Sequence, residues 1–571
     1  MFMTAQFIAK HANRRSLCDD RPRIDHLHRG EGTGIARALR FECARDQSRG
    51  RFARETANDS PSPGGEGWGE GGRFFLSLCA FGLLCLTHAT FAADKLNVLL
   101  IVADDLRDTV GCYGNTQVKT PNLDKLAQRG IRFDRAYVQY PVCNPSRTSF
   151  LTGLRCEQTK VVQNNVLFRS VLPDVVTLPQ MLRQSGWYAA SYGKIFHVGE
   201  VIGEIRDGWL DLGKSWDEAK MFLPTEAGKE IEGRNLTGDK LKWCRWAATA
   251  GTDDDQPDGQ TAQHSVATIE KLTHEGKPWM VAAGFHRPHD PFVSPKKYFD
   301  LYPPGSLKLY HDPTNITPLK PLSIGGGAFV EAFDAFTDKE RMEFQRAYYA
   351  GVSFTDAQVG RLMDTLDRLK LWDKTIVIFL GDHGYHHNER NWWNKNTLFE
   401  RVCRVPFIVV APGAKNGQVC RSLIEAVDIY PTIADYSGVN PPHKLAGESL
   451  RPLLENPAAK GRDATFTLVV RGRNYGQTVR TDRWRYTQWS DGTAELYDQL
   501  NDVEDTHDVA SDPANGKLIE ELKARLKRVG PFEPDTNAVP KAKKNSKRAD
   551  IDADTFRIAG IESTDDVPVA R

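Results

Sequence analysis

The chain has 571 residues, more than one ordinary core organises, which predicts two domains plus some non-globular sequence. Hydrophobic residues make up 40% of it and charged residues 26%, the balance of a soluble globular protein. Lysine and arginine total 75 against 74 aspartates and glutamates, and this near-neutrality argues against a protein that coats nucleic acid.

The first 93 residues predict no folded domain. Residues 1–71 are rich in arginine, lack apolar periodicity and end in a glycine-rich run, so we expect a disordered segment or a misassigned gene start. The apolar run 74–86 is too short to span a bilayer, and Thr90 and Ala92 are the small residues that a signal peptidase requires. We therefore interpret 72–93 as a signal peptide. The alternatives are a buried helix or an uncleaved anchor.

Export through that signal places the mature chain in the periplasm or outside the cell, with no stable membrane span. An oxidising compartment permits disulfides, but sequence alone does not give the pairing. The mature chain keeps six cysteines: Cys112, Cys143, Cys156, Cys244, Cys403 and Cys420.

From residue 96 onward, short apolar runs alternate with helical patterns. Near-continuous apolar runs are typical of parallel strands covered on both faces, and their alternation with helices predicts an α/β sheet within residues 94–440. The predicted strands are 96–103, 279–285, 375–380 and 407–411, and the predicted helices are 122–129, 177–185 and 340–371.

Beyond residue 440 the pattern changes. Residues 479–489 and 494–497 predict short, half-exposed strands of a small antiparallel sheet, followed by a helix over 517–529. We therefore expect a smaller α+β domain at 441–535. The charged segment 536–571 predicts a flexible tail, and no nucleic-acid role is expected for it.

Two of the predicted strands end in pairs of metal-ligand residues. Asp104 and Asp105 follow the first strand, and Asp382 and His383 follow the strand at 375–380. Ligands of open α/β sheets gather at the carboxyl ends of strands, where grouped carboxylates repel unless a cation compensates them. Oxygen-rich sets suit Ca²⁺ or Mg²⁺ better than zinc. The alternative is two unrelated strand-end turns.

A third segment connects these pairs to a known family. Cys143 begins the sequence Cys-Asn-Pro-Ser-Arg147, with Leu-Thr-Gly a few residues later. Pro145 and Ser146 fit the start of a helix, whose positive end would face a nucleophile just ahead of it. This segment resembles the sulfatases, in which the cysteine of C-x-P-S-R is oxidised to formylglycine by a separate maturation enzyme. A merely buried thiol is the alternative.

The resemblance implies a mechanism for the modified Cys143. An aldehyde hydrates to two hydroxyls on one carbon: a metal acidifies one to attack the sulfur of a sulfate ester, and the other expels the sulfate by elimination. A serine lacks the second hydroxyl. By the same resemblance, Arg147 braces the modified side chain and helps neutralise charge.

Three further segments match the family. In Gly-Lys194-Ile-Phe-His197 the resemblance implies that the lysine contacts the sulfate and the histidine accepts a proton. For the segment that begins at His286, the resemblance implies that this histidine protonates or polarises the leaving oxygen. His289 is a weaker candidate for substrate contact. Lys395 falls where the family has a second sulfate-binding lysine. A core histidine and a solvated lysine are the alternatives.

The second metal pair indicates a subfamily. Arylsulfatases commonly have Asp-Asn there, whereas Asp382-His383 and several neighbouring stretches resemble iduronate-2-sulfatase and its bacterial relatives most. The resemblance runs over residues 96–526. Departures lie in connecting loops such as 201–263, where sugar specificity would be set.

The resemblance implies an alkaline-phosphatase-like α/β sandwich with a central, mostly parallel sheet, followed in the sequence by the smaller C-terminal α+β domain. The expected reaction is hydrolysis of a sulfate monoester on a uronic acid or other sugar of a polysaccharide, such as a glycosaminoglycan. One Ca²⁺ would be held by Asp104, Asp105, Asp382, His383 and the formylglycine from Cys143. The alternatives are a phosphonate or phosphate monoester hydrolase and a catalytically silent glycan-binding protein.

Overall fold

A computed structural model describes residues 95–197, 207–325 and 328–533, all within one compact unit of the chain. The predicted N-terminal extension (1–71), signal peptide (72–93) and charged tail (536–571) lie outside these residues. Within the described ranges, no helix combines the length and apolar character needed to cross a bilayer.

The strands of the described residues form three sheets. They are β1 (Asn97–Ala103), β2 (Ile131–Tyr137), β3 (Tyr188–Gly193), β4 (Glu218–Lys220), β5 (Glu230–Asn235), β6 (Arg245–Thr249), β7 (Trp279–Phe285), β8 (Phe292–Pro295), β9 (Thr375–Gly381), β10 (Arg404–Val405), β11 (Phe407–Val410), β12 (Gln418–Glu425), β13 (Thr465–Arg471), β14 (Asn474–Arg480), β15 (Trp484–Trp489) and β16 (Ala494–Asp498).

The largest sheet has the order β10-β2-β11-β9-β1-β7-β3-β4, with β12 paired to β2. Its central strands β9, β1, β7 and β3 are all parallel, as the continuous apolar runs predict. Strand β11 is also buried throughout but runs antiparallel to both of its neighbours. An apolar run reports burial on both faces and carries no information on strand direction. A smaller sheet joins β5, β6 and β8.

Helices cover both faces of the large sheet. The α-helices are α1 (Pro121–Arg129), α2 (Cys143–Thr152), α3 (Cys156–Thr159), α4 (Phe168–Val171), α5 (Leu178–Gln184), α6 (Asp207–Leu210), α7 (Pro257–His274), α8 (Lys296–Phe299), α9 (Ala328–Asp334), α10 (Asp338–Arg368), α11 (Glu400–Cys403), α12 (Ile429–Ser437), α13 (Arg451–Glu455) and α14 (Gly516–Leu526). The predicted helices correspond to α1, α5, α10 and α14, with ends that differ by no more than three residues.

The side chains of β1 alternate between two cores. Leu99 and Ile101 pack into the core that contains apolar residues of α7 and α10. Val98 and Leu100 pack into the opposite core, with residues of α2, α5 and α12. Because both faces of the central strands are dry, the polar residues of this region are concentrated at the strand ends.

Strands β13 to β16 form a separate antiparallel sheet, as predicted, although β13 and most of β14 were not predicted. The strands are more buried than expected. One face packs against α14 through Leu522 and Leu526. The other face places Val469 and Trp489 against Tyr137 of the large sheet. The half-exposed strands were therefore a wrong prediction, because α14 covers one face of this sheet and the large sheet covers the other.

The six cysteines of the described residues are all unpaired, and five of them are buried. Cys112 is the partly exposed one. The structure thus gives the described part of the chain no disulfide framework.

Candidate active site

The two predicted metal pairs meet at the carboxyl ends of adjacent strands. Strands β1 and β9 are paired so that Ala103 lies opposite Gly381, and the residues that follow them are neighbours. The Asp105 amide donates a 3.0 Å hydrogen bond to Oδ1 of Asp382. The Asp382 amide donates to the carbonyl of Ala103 at 3.1 Å. Strand register, rather than the loops, therefore brings these acids together.

Cys143 is the first residue of α2 and is fully buried. The helix starts two residues before the predicted Pro145-Ser146 start, so the thiol belongs to the first residue of the helix. Ser146 in the first turn donates from Oγ to the carbonyl of Asp382 at 2.5 Å, which fixes the helix against the end of β9. The Sγ atom lies 3.3 Å from Nε2 of His383.

Four of these side chains converge on one point. Ligand atoms of Asp104, Asp105, Cys143 and His383 all lie within 4.8 Å of one another, and all four residues are buried. Oδ2 of Asp105 lacks a hydrogen-bond donor within the described residues, and the two oxygens of Asp104 form ion pairs with Lys194 and Arg147. Grouped buried carboxylates are costly unless cations compensate them, and one oxygen here has no donor, so this donor set fits a divalent ion.

Asp382 borders this point but its carboxylate is already engaged. Its Oδ2 accepts from Nε of Arg147 at 2.8 Å, and its Oδ1 accepts from the amides of Asp105 and His383. The converging set does not include it. A role for Asp382 as a metal ligand stays a prediction, and its observed contacts tie Arg147 to the two metal pairs.

Three cations surround Cys143. Lys194 Nζ lies 3.7 Å and Lys395 Nζ lies 3.3 Å from the Cys143 sulfur. Lys194 forms an ion pair with Asp104, and Lys395 forms one with Asp105 at 2.8 Å. Arg147 lies behind them, 3.4 Å from Asp104. The resulting pocket presents positive charge around the sulfur atom, as binding of an anionic group requires.

The carboxylates of this pocket differ in pKa. Burial raises the pKa of Asp104, but Lys194, His289 and Arg147 more than offset it and hold that pKa well below its usual value. Burial dominates at Asp382, whose pKa rises to about 7 despite Arg147. Burial also raises the pKa of the Cys143 thiol well above its usual value, so the unmodified side chain is a poor nucleophile at neutral pH.

His197 and His289 both border the cations. His197 is 7% exposed, and burial together with Lys194 lowers its pKa well below 6.5, so its ring is neutral at neutral pH. His289 Nε2 lies 2.9 Å from Lys395 Nζ and 3.9 Å from Asp105. Its Nδ1 contacts the carbonyl of Asp290. The His289 ring is therefore placed to exchange protons with a group bound beside Lys395.

His286, predicted to act on the leaving oxygen, contacts a different residue. Its Nδ1 lies 3.6 Å from Asp258, and its backbone amide donates to the same carboxylate at 2.8 Å. Burial lowers its pKa, which Asp258 partly opposes. The geometry thus brings His289, the weaker candidate, against Lys395, and places His286 beside the first turn of α7.

The histidines that follow His383 are buried in the loop that leads to Lys395. His386 Nε2 lies 2.8 Å from the Thr397 hydroxyl, and the His387 ring packs against Trp393. Glu389 accepts from the His387 amide at 2.6 Å and from Arg107 at 2.6 Å. The ion pair of Arg107 with Glu389 links the loop after β1 to the loop after β9.

Three further residues of this region were not predicted from the sequence. Asp258 fixes the loop at His286, accepting from the amides of His286 and Arg287. Asp290 has a buried Oδ1 without a hydrogen-bond donor in the described chain, and Tyr385 donates to its Oδ2 at 3.2 Å. Asp290 adjoins His289 in sequence and could have been noticed there. Asp258 and Tyr385 become visible only from tertiary contacts.

Two family models match the chain. The model described as Sulfatase covers residues 96–439, which is more than half of the chain. The model described as N-sulphoglucosamine sulphohydrolase, C-terminal, covers residues 388–530. The second match spans the antiparallel sheet and α14, and also includes the loop that carries Lys395.

Two curated relatives extend this likeness. A protein named Sulfatase from Formosa agariphila is 30% identical over 502 residues, covering 83% of this chain and 94% of that protein. Iduronate 2-sulfatase of Homo sapiens is 32% identical over 399 residues, covering 62% of this chain and 71% of that enzyme. The predicted resemblance to the iduronate-2-sulfatase group is confirmed.

Solved structures share the fold. One, in complex with its substrate D-glucosamine-2-N,6-O-disulfate, matches with a TM-score of 0.60 at 20% identity, over 76% of this chain and 97% of that one. The phosphonate monoester hydrolase of Agrobacterium radiobacter matches with a TM-score of 0.61 at 22% identity, over 76% and 95%. These likenesses confirm the predicted α/β architecture. The family match over residues 96–439 and the 30% identical relative establish that the chain belongs to the sulfatase family and is a sulfuric ester hydrolase.

Proposed function

We propose that this sulfatase is exported and removes sulfate from a uronic acid or another sugar of a sulfated polysaccharide. It would use a formylglycine made from Cys143 and one Ca²⁺. The observation that carries the proposal is the convergence of Asp104, Asp105, Cys143 and His383 within 4.8 Å, flanked by two lysines on the Cys143 sulfur. A catalytically silent glycan-binding protein would have no need of this arrangement.

The proposed cation ligands are Asp104, Asp105 and His383, with an oxygen of the modified Cys143 completing the set. When bound, the cation would supply Lewis acidity to an oxygen nucleophile and partly neutralise the sulfate. A thiolate beside an imidazole is a donor pair that zinc binds well. Conversion of the thiol to an oxygen group would shift the set towards Ca²⁺.

Lys194 and Lys395 would hold the sulfate oxygens on either side of residue 143. Arg147 would keep Asp382 and Asp104 in place, since it contacts both. We assign the leaving oxygen to His289 instead of His286, because His289 contacts Lys395 in the pocket. Bound sulfate would offset the positive charge of the two lysines, which now helps to hold the His289 pKa low, and a protonated Nε2 could then serve as the acid. His197, neutral in this pocket, would accept the proton when product sulfate leaves.

The substrate class is supported by the relatives. Iduronate 2-sulfatase acts on a sulfated uronic acid, and a fold neighbour is bound to a sulfated glucosamine. The fold is also that of a phosphonate monoester hydrolase, which keeps phosphonate and phosphate esters as the rival substrates.

The test begins with the tryptic peptide 136–147 from protein produced together with a formylglycine-generating enzyme. We expect the mass of an aldehyde or its hydrate at residue 143, absent from the Cys143→Ser control. An unmodified thiol on protein from such a host would refute the proposed nucleophile.

Turnover of an aryl sulfate is then compared with an aryl phosphonate, followed by a panel of sulfated uronic acids and hexosamines. We expect the sulfate to be preferred. A higher kcat/KM on the phosphonate would favour the rival. Export is tested separately by sequencing the amino terminus of the secreted protein, which should begin near residue 93.

A further inference from the structure

Arg471, the last residue of β13 in the antiparallel sheet, donates its hydrogen bonds to the main chain of two other segments. Its guanidinium donates to three main-chain carbonyls: Leu322 at 2.7 Å, Ser323 at 3.3 Å and Asn396 at 2.6 Å. It also lies over the ring of Trp489. Within the described residues it forms no ion pair with a carboxylate. An arginine that donates only to carbonyls can fix backbone segments, because its planar guanidinium presents the donors in a fixed geometry.

One of these carbonyls belongs to the residue after Lys395. Asn396 has a φ of +63°, in the left-handed region that asparagine adopts more readily than other non-glycine residues. Its amide donates to the carbonyl of Pro141, two residues before Cys143, at 3.1 Å. Its carbonyl is the Arg471 acceptor. The peptide units around Asn396 are thus held between the Cys143 turn and the antiparallel sheet.

We propose that Arg471 is a positioning residue for Lys395. It would act through the Asn396 carbonyl, keeping the left-handed turn in place so that the Lys395 ammonium stays 3.3 Å from the Cys143 sulfur and 2.8 Å from Asp105. This inference rests on the proposed role of Lys395 in sulfate binding. It gives the antiparallel sheet a part in the reaction, although Arg471 reaches the pocket only through the backbone.

The variant that tests it is Arg471→Met, which keeps the length and apolar stem of the side chain but removes the donors. Arg473→Met is the matched control, because Arg473 lies on the same hairpin, is exposed and has no ion pair within the described residues. The two readouts are kcat/KM on an aryl sulfate and the Kd for inorganic sulfate by calorimetry in CaCl₂.

We expect Arg471→Met to raise the sulfate Kd about tenfold and to lower kcat/KM by about 10- to 100-fold, since loss of one positioned charge-assisted contact has effects of this order. Arg473→Met should change neither by more than about twofold. Arg471→Lys, which keeps one ammonium donor, should fall between them. If Arg471→Met does not fold, as judged by near-ultraviolet circular dichroism, Arg471→Lys decides by the same readouts.

The same substitution in a Lys395→Ala background distinguishes positioning from a general structural role. If Arg471 acts through Lys395, Arg471→Met should have no further effect on the sulfate Kd or on kcat/KM in that background. An equal loss in both backgrounds would overturn the inference, as would an Arg471→Met enzyme with unchanged sulfate affinity. Failure of the unsubstituted enzyme to hydrolyse any sulfate ester would instead refute the proposed function, and the sulfate Kd would still test Arg471.

Discussion

Two regions of this chain bury clusters of acids and cations, and they differ in how the acids are satisfied. At the ends of β1 and β9, one oxygen of Asp105 has no hydrogen-bond donor in the described part of the chain, and Asp104 is paired with Lys194 and Arg147, which also border Cys143. Beneath the antiparallel sheet, Glu400 accepts from Tyr137 at 2.8 Å and from Arg480 at 3.1 Å, and it pairs with Arg485.

The difference separates a ligand site from a structural contact. Burial raises the pKa of Glu400, but Arg480 and Arg485 stabilise its charged form more strongly. Its pKa therefore lies well below the usual value. A buried acid that is fully paired has no capacity left for a ligand. A buried acid with oxygens left over is costly to fold, and we interpret that cost as the consequence of a site built for a cation.

The largest effect is expected at the nucleophile. Cys143→Ala should lower kcat/KM by at least about four orders of magnitude, because loss of a catalytic nucleophile has effects of that size. The melting temperature should stay within about 2 °C, since the substitution removes little buried volume. Residual hydrolysis within tenfold of the parent enzyme would show that the site lies elsewhere.

The acids at the ends of β1 and β9 should couple the stability of the protein to the bound cation. Saturating Ca²⁺ at about 100 times its Kd should stabilise the protein by about 3 kcal/mol, and Asp104→Asn should abolish most of that gain. Thermal unfolding with CaCl₂ and with a chelator measures both. Turnover by Asp104→Asn should fall about 10³-fold. A Ca²⁺-dependent shift that survives the substitution would contradict the assignment of Asp104 as a ligand.

The satisfied cluster should behave in the opposite way. Glu400→Gln should cost about 3–5 kcal/mol in urea unfolding, because it leaves the Arg480 and Arg485 guanidinium groups buried with one charge removed. The kcat of the folded fraction should stay within about twofold of the parent, and the Ca²⁺ shift should be unchanged. If Glu400→Gln lost Ca²⁺ binding but kept its stability, Glu400 would belong to the ligand site and not to a structural contact.

An exposed ion pair completes the series. Asp463 is paired with Arg528 at 2.7 Å and with Arg525 at 3.0 Å, and all three side chains are more than a third exposed. Asp463→Asn should change the free energy of unfolding by no more than about 1 kcal/mol, because solvent screens such pairs. A loss close to that of Glu400→Gln would mean that pairing, rather than burial, sets the cost.

Sequence patterns predicted the parts of this molecule that depend on residues close together in the sequence. The apolar runs gave β1, β7 and β9 nearly to the residue, and the acids that follow β1 and β9 lie together because those strands are adjacent in the sheet. The antiparallel direction of β11 was not predictable, since its burial matches that of a parallel strand. Arg471 and Asp258 act through backbone groups far away in sequence, and no local pattern reports such contacts.

The histidines show the same limit at the scale of one loop. His286 and His289 lie three residues apart, and either could be assigned to the reaction from sequence. Only the placement of Lys395 beside His289, and of Asp258 beside His286, distinguishes them. Residue type and spacing thus predicted which residues lie close together, whereas the different contacts of the two histidines depend on three separate loops.

The burial of Cys143 has a consequence for the order of events in biosynthesis. Its side chain is closed in by His383, which the ribosome adds 240 residues later, and by Lys395 after that. At about 5–20 residues per second, translation leaves roughly 10–50 s during which residue 143 exists without the groups that cover it. The proposed oxidation of Cys143 would have to reach an unfinished or unfolded chain, so slower folding of this sheet would favour complete maturation.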